Sequence, residues 1–313
     1  MGIRPCLRGG AVVAAVLLAL AALVTGAPAP AQAASSPAVT TTRYVTNPDQ
    51  SRFWSLGCQD GTNAVYNGPA NGVVILDFGQ PMTWNNGATF GTYDFGNHLD
   101  SIVTITAVTE GYLKGWWDCT PANGPTVRLA LGTSNYKGST TYAHGQAWAR
   151  MVNDINTWIT NNGYGSQLYA RGANDMEISW NTPAATRAWI DGYNSVAQYP
   201  LYDYGDAEGG THPPNGWTPE DVWYKAYGAT QNWPIPEIYY TANATQNWQP
   251  ISLWAYQNKG RAIYFIGVLT EHAADSTTLT PAQGWQALYS ALNSDRRTAQ
   301  SNIPYLTDIT WRN

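Results

Sequence analysis

Residues 167–208 read QLYARGANDMEISWNTPAATRAWIDGYNSVAQYPLYDYGDAE. Gln167–Ala173 (QLYARGA) and Tyr199–Tyr204 (YPLYDY) are short runs carrying Leu and Tyr and are read as strands. Between them Thr182 is a good N-cap and Pro183 suits the first helical position, which predicts a helix to about 196. The same alternation recurs on both sides. Further strands are expected at Val73–Phe78 (VVILDF), Thr126–Gly132 (TVRLALG), 234–240 (PIPEIYY), 261–269 (RAIYFIGVL) and 303–310. Helices are expected over 142–160, from Thr218-Pro219, up to about 259, and from Thr280-Pro281 to about 293. Residues 99–117 carry both periodicities and are read as a helix, although Gly111 and Gly115 weaken it. Residues 80–97 are rich in Gly and Asn and are read as a long loop. Repeated strand–helix alternation argues for a parallel sheet with crossover helices. Without a Gly-rich dinucleotide motif, the expected class is α/β, a (β/α)8-type TIM barrel of seven or eight strands.

Residues 1–33 have the three parts of an export signal. Arg4 and Arg8 precede an apolar run from Ala11 to Val24, and Ala31-Gln32-Ala33 is a small-residue cleavage site. Residues 34–50, rich in Ser, Thr, Ala and Pro, are expected to be a flexible lead-in, with 51–313 a single barrel domain. An exported chain keeping two cysteines, Cys58 and Cys119, is expected to join them in a disulfide. Such a bond would close a loop of about 60 residues and contribute about 4 kcal/mol on the chain-entropy model.

The 313 residues are 44% hydrophobic, 13% aromatic and only 12% charged, which excludes a disordered body. Of 16 basic residues, 14 lie beyond the signal against 21 acidic ones, a net of −7. That balance excludes the basic footprint of a nucleic-acid binder and a polybasic membrane patch. The 15 Trp and 20 Tyr against 5 Phe favour rings that carry a polar handle, as sugar-stacking surfaces do.

Acids gather at the C-terminal ends of the expected strands, where barrel active sites are built. They are Asp77, then Asp175 and Glu177, then Asp203, Asp206 and Glu208; Glu237 lies within PIPEIYY. In extended backbone, residues i and i+2 face one side, so each Asp-x-Glu triplet aims two carboxylates at one spot. Crowded carboxylates push each other's pKa values apart, leaving one protonated as an acid and another ionised. Glycosidic cleavage needs that division of labour. Either triplet alone is common by chance; two at successive strand ends are less so. Arg171 could pair with a carboxylate or bind an anionic sugar. Tyr204, Trp180, Trp217 and Trp223 are candidate sugar platforms. His98, His144, His212 and His272 show no metal-ligand spacing; His144 reads as structural and His212 as a possible substrate contact.

The run Asp203-x-x-Asp206-x-Glu208 resembles the strand-four signature of family 18 chitinases and family 25 muramidases, and Asp77 resembles the first-strand acid of the muramidases. Through GTSNY, GANDMEISW and DYGDAEG the chain is also similar to secreted actinobacterial proteins with a glycosidase-like barrel, over about 73–310. This resemblance implies Glu208 as general acid, Asp206 as the group orienting it or the substrate, and Asp203 supporting Asp206. The chitinase pattern has a further Asp between the last two acids, where this chain has Ala207, and Glu177 competes with Glu208 for the acid's role.

The resulting expectation is a secreted, monomeric glycoside hydrolase acting on an extracellular or cell-wall polysaccharide, with no cofactor or metal and no membrane contact after signal cleavage. Its catalytic group would be Glu208, Asp206, Glu177, Asp175 and Asp77, with Asp203, Tyr204, Arg171, Trp180 and Trp217 holding substrate. The alternatives are a catalytically inactive barrel that binds carbohydrate through Trp and Tyr surfaces, and a hydrolase of another bond.

Overall fold

Thr40–Tyr44 (β1) lies inside the stretch expected to be a flexible lead-in, and it is a barrel strand. Its sequence, TTTRY, shows no apolar alternation because polar contacts hold it. The Thr42 hydroxyl meets that of Thr307 at 2.6 Å and accepts from the Ile75 N–H at 2.9 Å. On the other face Arg43 pairs with Asp60 at 2.7 Å, and the Tyr112 hydroxyl donates to the same carboxylate at 2.6 Å. The computed structural model describes residues 34–311. The expected signal, 1–33, lies outside them.

The elements follow in chain order: α1 (Gln50–Tyr66), β2 (Asn71–Asp77), β3 (Gln80–Trp84), β4 (Thr89–Tyr93), β5 (Leu99–Ser101), α2 (Ile102–Cys119), β6 (Thr126–Ser134) and α3 (Tyr142–Asn161). Then come β7 (Leu168–Asp175), α4 (Pro183–Val196), β8 (Leu201–Asp203), α5 (Pro219–Trp223) and β9 (Asn232–Pro234). The chain continues through α6 (Gln249–Lys259), β10 (Gly267–Thr270), α7 (Pro281–Asn293) and β11 (Tyr305–Thr310). A π-helical turn, Tyr224–Gly228, extends α5, and another, Asn243–Trp248, leads into α6.

Eight strands run parallel in the order β10-β11-β1-β2-β6-β7-β8-β9. The segment after β9 brings the two ends together. Ile266 and Leu269 donate to the carbonyls of Pro234 and Pro236 at 3.1 and 3.0 Å, and Ile238 donates to Leu269 at 2.9 Å. Proline has no N–H, so at these two positions the closing edge pairs through carbonyls. The fold is therefore an eight-stranded α/β barrel. Its interior packs Val73, Ile75, Ala130, Ala173, Ile235, Leu269 and Ile309. A second apolar layer lies between strands and helices, with Trp116, Trp148 and Trp189 fully enclosed.

Residues 80–97 do not form a long loop. β3 and β4 make a hairpin that β5 extends into a three-stranded antiparallel sheet. The Gly/Asn signal marks its turn, where Asn85, Asn86 and Gly87 have positive φ. The helix expected over 99–117 is present as α2 after the short strand β5. Its glycines serve packing: a Cβ on Gly115 would lie 1.9 Å from the carbonyl oxygen of Trp54, and one on Gly57 as close to that of Tyr112. The two helices touch backbone to backbone, and Cys58–Cys119 joins them with a Cα–Cα distance of 5.0 Å. His144 is structural. Buried, it contacts the Gly91 carbonyl through Nε2 at 2.8 Å and accepts from the Trp189 indole at Nδ1. Burial lowers its pKa to about 4.

Replacing Cys119 by Ser is expected to cost about 2–4 kcal/mol while preserving the fold. Urea unfolding of the oxidised protein and of the variant would measure the difference; an unchanged midpoint would show that backbone packing alone holds the two helices.

Candidate functional site

The barrel's two-residue period carries its apolar interior up into a polar mouth. Val73 and Ile75 are followed by Asp77, Ala173 by Asp175, Ile235 by Glu237, Leu269 by Glu271 and Ile309 by Trp311. Carboxylates from distant parts of the sequence thereby meet at the C-terminal ends of the strands.

The tightest group is Asp175, Glu177 and Glu237, with one oxygen from each within 4.8 Å of the others. Asp175 is buried, and its Oδ1 has no hydrogen-bond partner. The Tyr239 hydroxyl donates to Glu237 Oε1 at 2.7 Å. Asp206 lies beside this group, accepting from the Ile178 and Glu208 backbone N–H groups at 3.1 Å each. Two local features hold the arrangement. The buried Asn135 donates to the Glu177 carbonyl at 2.9 Å and accepts from the Glu177 N–H at 3.1 Å. Gly205 lets the loop after β8 lie against the loop after β7, because a Cβ there would come within 2.5 Å of the Met176 backbone.

Electrostatics separates these acids. Burial pushes Glu177 up to about 8, with the Asp206 charge adding and Lys225 opposing. Asp175 is raised well above the usual carboxylate range by burial and then by Glu237 and Glu177. Glu237 is raised likewise by burial and by Glu177. Burial also raises Asp206, but Lys225 and its two N–H donors hold it down. Asp77, buried and accepting from the Gly79 N–H at 2.9 Å, is pushed to about 6. Beneath the group, Lys225 and Asp203 form a fully enclosed ion pair at 2.9 Å. Asp175, Glu177 and Glu237 are also the one group among the described residues able to share a metal ion, and their all-oxygen donors suit Ca²⁺ or Mg²⁺.

A cleft of about 390 Å³ opens beside Asp77 and Asp175. Tyr93, Phe95, Tyr136 and Trp180 supply its aromatic walls, and Gln80, Asp94, Asn97 and Ser134 its polar ones. Trp180 meets Tyr136 edge-on at 5.6 Å. Phe95 packs at 4.7 Å on Tyr44, which also contacts Trp311 at 4.2 Å.

The residues expected from sequence fall in several places. Asp77, Asp175 and Trp180 line the cleft, and Asp175 connects it to Glu177. Glu208 is exposed, and only its backbone reaches Asp206. The Asp206 carboxylate accepts from the Glu208 N–H at 3.1 Å, an Asx turn that replaces the extended path the Asp-x-Glu argument needs. Asp203 faces out of the barrel toward Lys225. Tyr204 is enclosed, its hydroxyl donating to the Thr133 carbonyl at 3.2 Å. Trp217 is 5% exposed and donates to the Asn181 carbonyl. Arg171 lies four residues below Asp175 on β7, stacked on Tyr169 and Tyr199 at 5.5 Å each, and donates to the Ala170 carbonyl. His212 is exposed and contacts Thr211. Sequence reasoning did not select Glu237, Tyr239, Tyr136 or Asp94. For Glu237 the signal was present: an acid two residues beyond an interior isoleucine at a strand's end.

No family model and no curated protein matches the chain. Among solved structures it is similar to the apo homocysteine methyltransferase MmuM from Escherichia coli, at 12% identity and a TM-score of 0.46, over 89% of this chain and 92% of that one. It is also similar to Pseudomonas stutzeri endoglucanase Cel5A in complex with cellobiose, at 12% identity and a TM-score of 0.37, over 89% and 86%. At those scores neither protein's activity bears on this chain, and the barrel rests on its own strand pairing.

Glu177 keeps its proton in the folded protein up to about pH 8, whereas its ordinary value is 4.5. Unfolding between those values releases that proton, so its contribution to stability is lost as pH rises through that window. Urea midpoints of the wild type should fall across it, and Glu177→Gln should flatten the fall. Parallel profiles for the two proteins would refute the raised pKa.

Proposed function

We propose that this chain is a secreted glycoside hydrolase acting on an extracellular or cell-wall polysaccharide by carboxylate acid/base chemistry. The observation that carries the reading is the pairing of Glu177, protonated near neutral pH, with Asp206, whose charge two N–H donors and Lys225 favour. Glu177 protonates the leaving oxygen, and Asp206 stabilises the positive charge developing on the sugar ring. Asp77 and Asp175 hold sugar hydroxyls on the cleft floor, and Trp180 offers a ring face. Glu208, exposed, serves through its backbone bond to Asp206. The signal-like residues 1–33 and the Cys58–Cys119 disulfide support export. Among the described residues no helix is long and apolar enough to cross a membrane.

A second reading is a barrel that binds carbohydrate without cleaving it. The aromatic walls of the cleft, Tyr93, Phe95, Tyr136 and Trp180, favour it, because ring faces can hold a sugar without any proton transfer.

The test is release of new reducing ends from peptidoglycan and soluble polysaccharides. Glu177→Gln is expected to lower release by about 10²-fold or more while circular dichroism shows the fold retained, and Glu208→Gln to leave most of it. The opposite ranking would return the acid's role to Glu208. Binding without release, in wild type and variants alike, would establish the second reading.

A further inference from the structure

The two-residue period that carries acids up to the mouth carries arginines down to the other end of the barrel. Below the interior residues Ala130 and Ala173 stand Arg128 on β6 and Arg171 on β7. The Arg128 Cζ lies 5.5 Å from the Tyr169 ring centre and 5.4 Å from that of Tyr305, and the Arg171 Cζ lies 5.5 Å from those of Tyr169 and Tyr199. Both arginines are half-buried. Both also act on one hydroxyl: burial raises the pKa of Tyr202, and Arg171 and then Arg128 oppose the rise. Among the described residues neither guanidinium forms an ion pair. Arg128 donates to the Asn71 side chain and Arg171 to the Ala170 carbonyl at 2.7 Å, which leaves most of each fork unused. The unused nitrogens are open to solvent, since the enclosed unpaired nitrogens among the described residues belong to Arg43, Trp223 and Trp248. Ring faces hold the two guanidiniums in place but do not neutralise them. In a chain whose acids outnumber its bases, two fixed cations without a counter-ion call for an anion.

The donors define that anion. A planar carboxylate is filled by one bidentate fork. A phosphate with three unsubstituted oxygens carries close to two charges and can meet two forks. Ring faces border the cations: Trp233 pairs in register with Tyr202, and Tyr264, 42% exposed, meets the Trp233 ring edge-on at 6.3 Å. We propose that the N-terminal end of the barrel binds such a phosphate group between Arg128 and Arg171, either as the free ion or as the monoester of a sugar. The site lies about 13 Å along β7 from Asp175 and is independent of the hydrolase reading.

Calorimetric titration of the purified protein tests this with inorganic phosphate, glucose-6-phosphate and glucuronate, at about pH 8, where the phosphate group is fully charged. Phosphate binding is expected to be saturable at low salt, about tenfold or more tighter than that of glucuronate, and weaker at about 0.5 M NaCl. Tighter binding of glucose-6-phosphate than of inorganic phosphate makes the sugar ester the ligand, and equal affinity makes it the free ion. Arg171→Gln and Arg171→Lys are each expected to weaken phosphate binding by about tenfold, the second because it keeps the charge and loses the fork. Should these variants not fold, the wild type still locates the site. Phosphate should slow phenylglyoxal addition at Arg128 and Arg171, read by peptide mass spectrometry, and leave the exposed Arg52 and Arg150 unchanged. No saturable phosphate binding, glucuronate binding as tight as that of glucose-6-phosphate, an unchanged affinity in a folded Arg171→Gln protein, or equal protection of all these arginines would each overturn the proposal.

Discussion

Everything at the barrel mouth depends on the two-residue period of its strands. Once Val73, Ile75, Ala173, Ile235, Leu269 and Ile309 are committed to the interior, the acids two residues beyond four of these positions follow the same face. A slip of one residue in any strand would expose an apolar side chain and remove its acid from the mouth. Apolar packing therefore fixes the position of groups it never touches. The closing edge shares this dependence: Glu237 reaches the mouth because Pro234 and Pro236 accept hydrogen bonds from the tenth strand's side while Ile235 and Glu237 donate to the other, at 2.8 and 3.3 Å.

The carboxylate group opposes folding unless its charge is reduced. Two unit charges about 4 Å apart repel by about 4 kcal/mol at an effective dielectric of about 20. Three oxygens within 4.8 Å therefore cannot all remain ionised without a cation. Protons relieve the repulsion, which is why Asp175, Glu177 and Glu237 are all raised. Lys225 opposes this rise. Its bond goes to Asp203, but its charge lowers Asp206 and Glu177 as well. Burial raises both carboxyls, and what distinguishes Asp206 is the pair of backbone N–H groups, of Ile178 and Glu208, that it accepts.

Much of the barrel was legible because helix starts carry local chemistry. Thr182-Pro183, Thr218-Pro219 and Thr280-Pro281 all begin helices as the sequence indicates. The first strand was not, since Thr40–Tyr44 is stabilised by hydroxyl and ion-pair contacts whose partners lie far away in sequence. For the site, local periodicity located Asp77, Asp175 and Glu177 at the strand ends. It misplaced Glu208, because an i, i+2 argument assumes extended backbone and the Asp206 carboxylate closes an Asx turn onto the Glu208 N–H. Glu237, two residues beyond Ile235, was within reach of the same periodicity, but its meeting with Asp175 and Glu177 depended on closure of the ring between the sixth and seventh barrel strands. Tyr204 and Trp217 illustrate a third limit. Aromatic residues near an acidic loop look alike in sequence whether they face a ligand or the interior.

The two walls of the cleft are built differently, and this separates chemistry from recognition. The carboxylate wall is fixed through the barrel: Asn135 clamps the Glu177 backbone, and Gly205 allows two loops to meet main chain to main chain. The facing wall comes from the hairpin inserted after β2. There Asp94 accepts from the N–H groups of Gly96 and His98 and meets the His98 ring, while the Phe95 N–H donates to Val45 at 3.0 Å. That turn presents Tyr93, Phe95 and Asn97 to the cleft and meets the barrel through Phe95 on Tyr44. Changes in the hairpin can therefore reshape the cleft while the surroundings of Glu177 stay fixed, whereas changes at Asn135 or Gly205 disturb Glu177 itself. An insertion between the second strand and its helix thus adds a cleft wall to a barrel whose carboxylates are placed by strand register.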